Sequence, residues 1–270
     1  RTYMRAFFKL FIPPIVMKMI AFLKKNRIKK YANYSDIIND TGANYDSEKL
    51  ARSVHEKTLI YAATKENGIS EFKSSEIDNI SMWFYLFNKD KVKVLDYGGA
   101  SGTTYHFLRK INERVLIEWD IVEMKSVCEI NKQNIYSELM FMTSYNDTTD
   151  KSYDLVLLNS VLQYVPNPYE TLKSILQKRP DRILITRTPF SRNEDFWTIQ
   201  KTDLEACGPG RLPATTRNAT VKMPIHTMDI SIIKKIVSQF GEYKCVIIDN
   251  GDWYLNGIKH MNTSLFILKL

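Results

Sequence analysis

The chain predicts an α/β fold: a seven-stranded, mainly parallel sheet ending in an antiparallel strand, behind a helical N-terminal extension. Three observations predict it. From residue 91 onward, short β-rich runs alternate with helical stretches. The first of those runs leads into a glycine-rich turn, where a strand hands over to a helix. The last two runs are separated by residues 251–263, too few for a convincing crossover helix, so they pair antiparallel.

The elements follow in order. Between residues 31 and 90 the pattern is helical: Leu50, Val54, Leu59, Ile60 and Ala63 recur at helical spacing behind Asp46-Ser47-Glu48, and Asn67-Gly68 ends that helix. His55 lies among charged neighbours and reads as a surface residue, and residues 80–87 read as a second, buried helix. Strands are expected at 92–97, 115–122, 139–142, 153–158, 182–188, 243–249 and 264–270. Helices are expected at 103–112, 125–137, 168–177 and 229–239. Residues 91–270 thus form the main domain, with an insertion at about 189–228 that is longer than a plain connection and reads as a lid or binding loop.

Composition narrows the class. The 270 residues are 44% hydrophobic and 25% charged, which excludes disordered, collagen-like and coiled-coil chains. Three dispersed cysteines (Cys128, Cys207, Cys245) form no CxxC pair, which argues against a disulfide framework and for a reducing, cytoplasmic compartment. No His/Cys/Asp/Glu spacing suggests a metal site. The net charge of +8 sits almost wholly in residues 1–30, which hold nine bases and no acid; the remainder has 29 bases against 30 acids. This basic, apolar lead is interrupted by Lys9, Pro13-Pro14 and Lys18, so it falls short of the roughly 20 residues that span a bilayer. Two readings stay open for it: a peripheral anchor on the anionic inner membrane face, or an arm packed on the domain or on a protein partner. It carries no nucleic-acid-reading motif, so no nucleic-acid partner is expected.

The chemistry centres on residues 92–102, Val-Lys-Val-Leu-Asp-Tyr-Gly-Gly-Ala-Ser-Gly. Ligands of open α/β sheets sit at the carboxyl ends of the strands, and glycines let the backbone approach them closely. The spacing is not the GxGxxG of dinucleotide sites, and Asp96 beside the turn would repel a pyrophosphate. A carboxylate there suits a ligand carrying ammonium and sulfonium charge, such as S-adenosylmethionine. Glu123, twenty-one residues beyond Gly102 at the end of the second strand, is placed to accept hydrogen bonds from two ribose hydroxyls.

With Asp96, Gly98, Gly102 and Glu123 in these positions, residues 91–270 resemble the class I S-adenosylmethionine-dependent methyltransferases, whose fold is Rossmann-like. The wording VLDYGGASGTTY, SYDLVLLNSVLQYV and ITRTPF is similar to a bacterial methyltransferase family associated with cell-surface polysaccharide genes, in which a basic lead with a double proline recurs. The resemblance implies S-adenosyl-L-methionine as cofactor and a sugar or lipid-linked glycan as acceptor. It implies cofactor contacts at Asp96, Gly98, Gly99, Ala100, Gly102, Glu123 and Met124. After the third strand, Ser144 faces the adenine position and Tyr145 is expected either to stack on the ring or to belong to a solvated turn. After the fourth strand, Asn159, Ser160, Gln163 and Tyr164 fall beside the sulfonium and acceptor, Tyr164 being a catalytic candidate or a core aromatic.

The end of the fifth strand and the insertion supply the rest. Trp197 offers a flat face for a sugar, and Arg187 and Arg192 offer cations for a phosphate or carboxylate. His226 is the candidate general base, against a purely structural histidine. His106, one turn into its helix, reads as a packing residue. Two other functions stay open at this point: a nicotinamide-dependent sugar oxidoreductase or epimerase, for which Tyr169 and Lys173 have the Tyr-x-x-x-Lys spacing, and a non-catalytic scaffold that keeps the cofactor pocket.

Overall fold

The computed structural model describes residues 28–41, 48–63, 89–111, 115–133, 136–148, 152–204, 207, 220–255 and 258–270. The basic lead through residue 27, the helix expected at 80–87 and residues 208–219 of the insertion lie outside them.

Among the described residues, two helices, α1 (Tyr34–Thr41) and α2 (Glu48–Ala63), precede the sheet. Then β1 (Lys91–Tyr97), α3 (Thr103–Ile111), β2 (Leu116–Val122), α4 (Lys125–Ile130), β3 (Leu139–Met142), β4 (Leu155–Asn159), α5 (Pro168–Gln177) and β5 (Arg182–Ser191) alternate as the pattern predicts. Strands β6 (Phe196–Asp203) and β7 (Thr220–Asp229), helix α6 (Ile230–Gln239) and strands β8 (Tyr243–Leu255) and β9 (Ile258–Lys269) complete the described chain.

The strands form one sheet in the order β3-β2-β1-β4-β5, all parallel. Strand β9 runs antiparallel beside β5, and β8 pairs antiparallel with β9, so the expected terminal pair is present. Among the described residues the sheet has nine strands rather than the expected seven. The difference lies in the insertion: β5 runs on to Ser191, and β6 and β7 form an antiparallel hairpin whose end lies parallel to β5 at Phe190 and Ser191. The sequence reads this stretch as a lid or binding loop because of its length. Within β7, Pro224 lies where β6 is the strand's partner, opposite Ile199, before β7 reaches β5 at Met228. A missing N–H is tolerated on such an edge.

Burial on both faces explains the near-continuous apolar strands. Leu95, Val156, Leu158, Ile183 and Ile185 face one layer with α5 and α6, through Leu172, Ile175, Ile233 and Ile236. Their neighbours Val94, Leu155, Leu157 and Leu184 face the other layer with Trp119, Ile121, Phe107 and Leu108. Pro168 opens α5 at a position where no intrahelical N–H is needed, and Asp229 caps α6 by accepting from the Ser231 N–H at 2.8 Å.

Helix α2 packs along α3 and α4, with its first half (Leu50, Ala51, Val54) beside Ala100 and Glu123 at the carboxyl end of the sheet. Thr58 Oγ1 meets Thr103 Oγ1 at 2.7 Å, and Lys110 Nζ donates to the Tyr61 carbonyl at 2.6 Å. His55 is half-buried, its Nδ1 3.1 Å from Asn131 Oδ1, and not the surface residue its neighbours imply. His106 packs edge-on between Tyr105 and Tyr136, and burial first, then Lys110, push its pKa down to about 4. No described helix is long and apolar enough to cross a membrane.

Candidate functional site

The turn after β1 carries three left-handed residues in five: Gly98 (φ +73°), Ala100 (φ +51°) and Gly102 (φ +84°). Gly98 is required twice over. Its N–H donates to the Val122 carbonyl at 2.8 Å, joining the ends of β1 and β2, and a Cβ there would stand 2.3 Å from Val161 Cγ2. A Cβ on Gly99 would stand 2.5 Å from the carboxyl carbon of Asp96, so the turn wraps directly over that carboxyl.

Asp96 is 2% exposed, and its Oδ2 has no hydrogen-bond partner among the described residues. Burial, and to a smaller extent the charge of Glu123, push its pKa up to about 7, while the nearby Trp119 indole acts in the opposite direction. An unsatisfied buried carboxyl is costly unless something compensates it. Glu123 stands just beyond β2. Its Oε1 accepts from the Ala100 N–H at 3.0 Å and its Oε2 from the Met124 N–H at 2.9 Å. Each carboxylate oxygen can accept a further bond.

A cavity of about 230 Å³ opens at the carboxyl ends of β1, β2, β3 and β4, with Tyr97, Gly98, Glu123, Met124, Ser160 and Tyr164 in its wall. Val122, Thr143, Val161, Val165 and Pro166 complete the lining. A smaller pocket of about 30 Å³ lies behind Glu123 and Met124, closed by Leu50, Ala51 and Val54 of α2. That helix is tied to the hairpin as well, through fully buried Lys57, whose Nζ donates to the carbonyls of Leu204 at 3.3 Å and Cys207 at 2.9 Å.

Of the residues singled out in the sequence, the structure therefore brings Gly98, Glu123, Met124, Ser160 and Tyr164 to one cavity, with Asp96, Gly99, Ala100 and Gly102 in the turn beside it. Tyr97, Thr143 and Val161 line the cavity without having been singled out as site residues. Each is an immediate neighbour of one that was, so the error is one of side-chain direction.

Several expected roles do not fit. Tyr145 is buried in the core, with the Lys178 ammonium 4.3 Å from its ring and Tyr97 edge-on at 6.5 Å, and it does not line the cavity. Ser144 caps its own turn by accepting from the Asn146 N–H at 3.1 Å. Asn159 accepts from Thr186 Oγ1 at 3.0 Å, behind the cavity wall. Gln163 is fully buried and bonded within the protein rather than presented to a substrate. Tyr164 donates from its hydroxyl to Gln200 Oε1 at 2.9 Å, and burial pushes its pKa up to about 12, so the phenol stays protonated at neutral pH.

The hairpin residues depart furthest. Trp197 is 3% exposed, stacked on the His226 ring at 4.3 Å and met edge-on by Tyr34 at 5.0 Å, so it has no face left for a sugar. His226 Nε2 is bonded to Asp195, whose other oxygen accepts from the Tyr169 hydroxyl at 2.5 Å. Burial raises the Asp195 pKa, but the bonds from His226 and Tyr169 outweigh it and hold the carboxyl below its usual range. His226 is buried and does not line the cavity, so the base role expected of it lacks a geometry. Tyr169 is held by Asp195 and the Asp229 N–H, and Lys173 by Glu170 at 2.6 Å, so the Tyr-x-x-x-Lys spacing does not reach the cavity either. Arg192 is exposed on the turn between β5 and β6, and Arg187 is exposed at a bulge of β5.

No protein-family model and no curated protein sequence matches the chain. Among solved structures it is similar to the magnesium protoporphyrin IX methyltransferase from Synechocystis PCC 6803 with bound S-adenosylhomocysteine, at 15% identity over 73% of this chain and 82% of that one, with a TM-score of 0.42. It is also similar to the Burkholderia thailandensis 1,6-didemethyltoxoflavin-N1-methyltransferase (12% identity, 84% and 92% covered, TM-score 0.43). A third is an S-adenosylmethionine-dependent methyltransferase from Clostridium acetobutylicum ATCC 824 (8% identity, 74% and 93% covered, TM-score 0.45).

Proposed function

We propose that the chain is an S-adenosylmethionine-dependent methyltransferase whose cofactor lies in the cavity at the carboxyl ends of β1, β2 and β4. The observation that carries the reading is the pairing of two carboxyls around a glycine-walled turn: Asp96, buried with an unsatisfied oxygen, and Glu123, on the cavity wall. A diphosphate at the turn would be repelled by Asp96, whereas a cation flanked by a ribose diol would satisfy Asp96 and Glu123 together.

S-adenosylmethionine, when bound, supplies a methyl group made electrophilic by its sulfonium. The chain's own residues do the rest. Ionised Asp96 offsets positive charge beneath the turn, and Glu123 accepts from hydroxyls while its two backbone donors fix its plane. Met124 and Thr143 bound the end of the cavity beyond Glu123. Tyr164, kept protonated, orients an acceptor as a neutral group, with its hydroxyl held by Gln200. Rate enhancement then rests on alignment and exclusion of bulk water, and the proton of a hydroxyl acceptor is released to solvent as the methyl moves from sulfur to oxygen.

The acceptor we favour is a sugar hydroxyl of a bacterial surface polysaccharide or of its lipid-linked precursor. Two features support it: the motif wording similar to a polysaccharide-associated family, and the basic, apolar residues 1–30, which suit the inner membrane face where such precursors sit. Calorimetry with S-adenosylhomocysteine and with NAD tests the cofactor. Micromolar binding of the former and none of the latter is expected; the reverse would make the protein an oxidoreductase. Formation of S-adenosylhomocysteine with glycan acceptors tests the rest, and cofactor binding without turnover on any acceptor would favour a scaffold.

A further inference from the structure

Besides Ala100 in the turn after β1, two residues without the glycine exemption hold left-handed conformations at the carboxyl end of the sheet: Ser160 (φ +58°), just after β4, and Arg187 (φ +52°), in the bulge of β5. They are neighbours, because β4 and β5 pair at Asn159 and Thr186, and the Ser160 N–H donates to the Thr186 carbonyl at 2.9 Å. Such strain persists only where the surroundings over-determine it, and it concentrates at functional sites.

One side chain grips both. Gln163, 0% exposed, donates from Nε2 to the Arg187 carbonyl at 2.9 Å and to Ser160 Oγ at 2.9 Å, while its Oε1 accepts from Thr188 Oγ1 at 3.2 Å. The arrangement admits one orientation of the amide. A carbonyl can only accept, so Nε2 must face Arg187, and its second hydrogen is then spent on Ser160. Ser160 Oγ accepts that hydrogen, so its own proton is turned elsewhere, and Ser160 lines the 230 Å³ cavity.

We propose that Gln163 is a positioning residue of the cofactor cavity: it pins Ser160 in its strained conformation and polarises the Ser160 hydroxyl as a donor toward a lone-pair oxygen of the bound cofactor. This rests on the methyltransferase reading and adds to it a residue that never touches the ligand. The Arg187 carbonyl sets the amide's orientation, and Thr188 Oγ1, whose hydrogen is shared between Gln163 Oε1 at 3.2 Å and the Thr186 carbonyl at 3.3 Å, backs it from behind.

The test is a double-mutant cycle on S-adenosylhomocysteine affinity, measured by calorimetry on the full chain. Ser160→Ala and Gln163→Leu are each expected to weaken binding about tenfold, the cost of one directed hydrogen bond. The double variant is expected to lose about tenfold as well and not a hundredfold, because both remove the same bond. Thr188→Val, a milder change that leaves Gln163 in place, is expected to weaken binding a few-fold and covers the case in which Gln163→Leu does not fold. A general structural role would give losses that add across the cycle and follow the melting temperature; that result, or unchanged affinity in Ser160→Ala, overturns the proposal. Absence of binding by the parent protein would instead overturn the cofactor reading on which it stands.

Discussion

Asp96 is the residue whose environment is hardest to explain without a ligand. Its carboxyl is enclosed by the turn, lacks a partner on one oxygen, and titrates near 7 rather than at its ordinary 3.8. The sign of the linkage follows. A raised pKa means that the folded protein binds more protons than the unfolded chain between about pH 4 and 7, so this group lowers stability as pH rises through that window. The loss amounts to about 4 kcal/mol at most. Chemical denaturation at pH 5 and pH 7.5 is expected to show it, and Asp96→Asn is expected to flatten the difference. Conversely, affinity for S-adenosylhomocysteine, which carries an ammonium, is expected to rise from pH 6 to pH 8; a flat profile would remove Asp96 from the site. Gly98→Ala tests the turn itself. Positive φ and a Cβ 2.3 Å from Val161 predict a loss of about 2–5 kcal/mol in unfolding free energy together with loss of ligand binding.

Among the elements, the parallel strands and their helices were legible because burial on both faces writes itself as short apolar runs between helical patterns, as in Val94-Leu95 and Leu155–Leu158. Glu123 was legible for a similar reason: the end of β2 is set by where its apolar run stops. The β6–β7 hairpin was not. Its alternation is weak, its second strand contains Pro224, and its pairing with β5 is confined to two residues. The same blind spot misplaced His226. A histidine in a long insertion looks like a base, yet cross-strand pairing sets it opposite Trp197, where it stacks, and Asp195 claims its Nε2. Tyr145 and Gln163 failed in another way, since spacing along the chain does not give the direction in which a side chain leaves a 3₁₀ turn. His226→Ala is therefore expected to cost about 2–4 kcal/mol of stability, from the stacked ring and the charged hydrogen bond, while leaving S-adenosylhomocysteine affinity within twofold. A large loss of affinity at unchanged stability would return His226 to the site.

At the scale of the whole molecule, the Glu123 carboxylate, the glycine turn and the first half of helix α2 meet at the carboxyl end of the described sheet, with the hairpin joined to it through Tyr164 and Gln200. Helix α2 is joined to the turn side by Thr58 and to the hairpin side by Lys57. Charge is organised separately: the basic excess belongs to residues 1–30 and not to the body that carries the cavity. Removal of residues 1–27 is thus expected to leave cofactor affinity intact while reducing sedimentation with vesicles containing anionic lipid. Equal sedimentation of both forms would assign the lead to some other contact.

The central claim is that the cavity beside Asp96 and Glu123 receives an adenosyl sulfonium, or its thioether product, and not a diphosphate. Titration of the parent protein and of Glu123→Ala with S-adenosylhomocysteine, followed calorimetrically, tests it most directly. Binding by the parent at one site per chain, weakened at least tenfold in Glu123→Ala at unchanged melting temperature, is the expected result. Equal affinity in the two proteins would contradict the account.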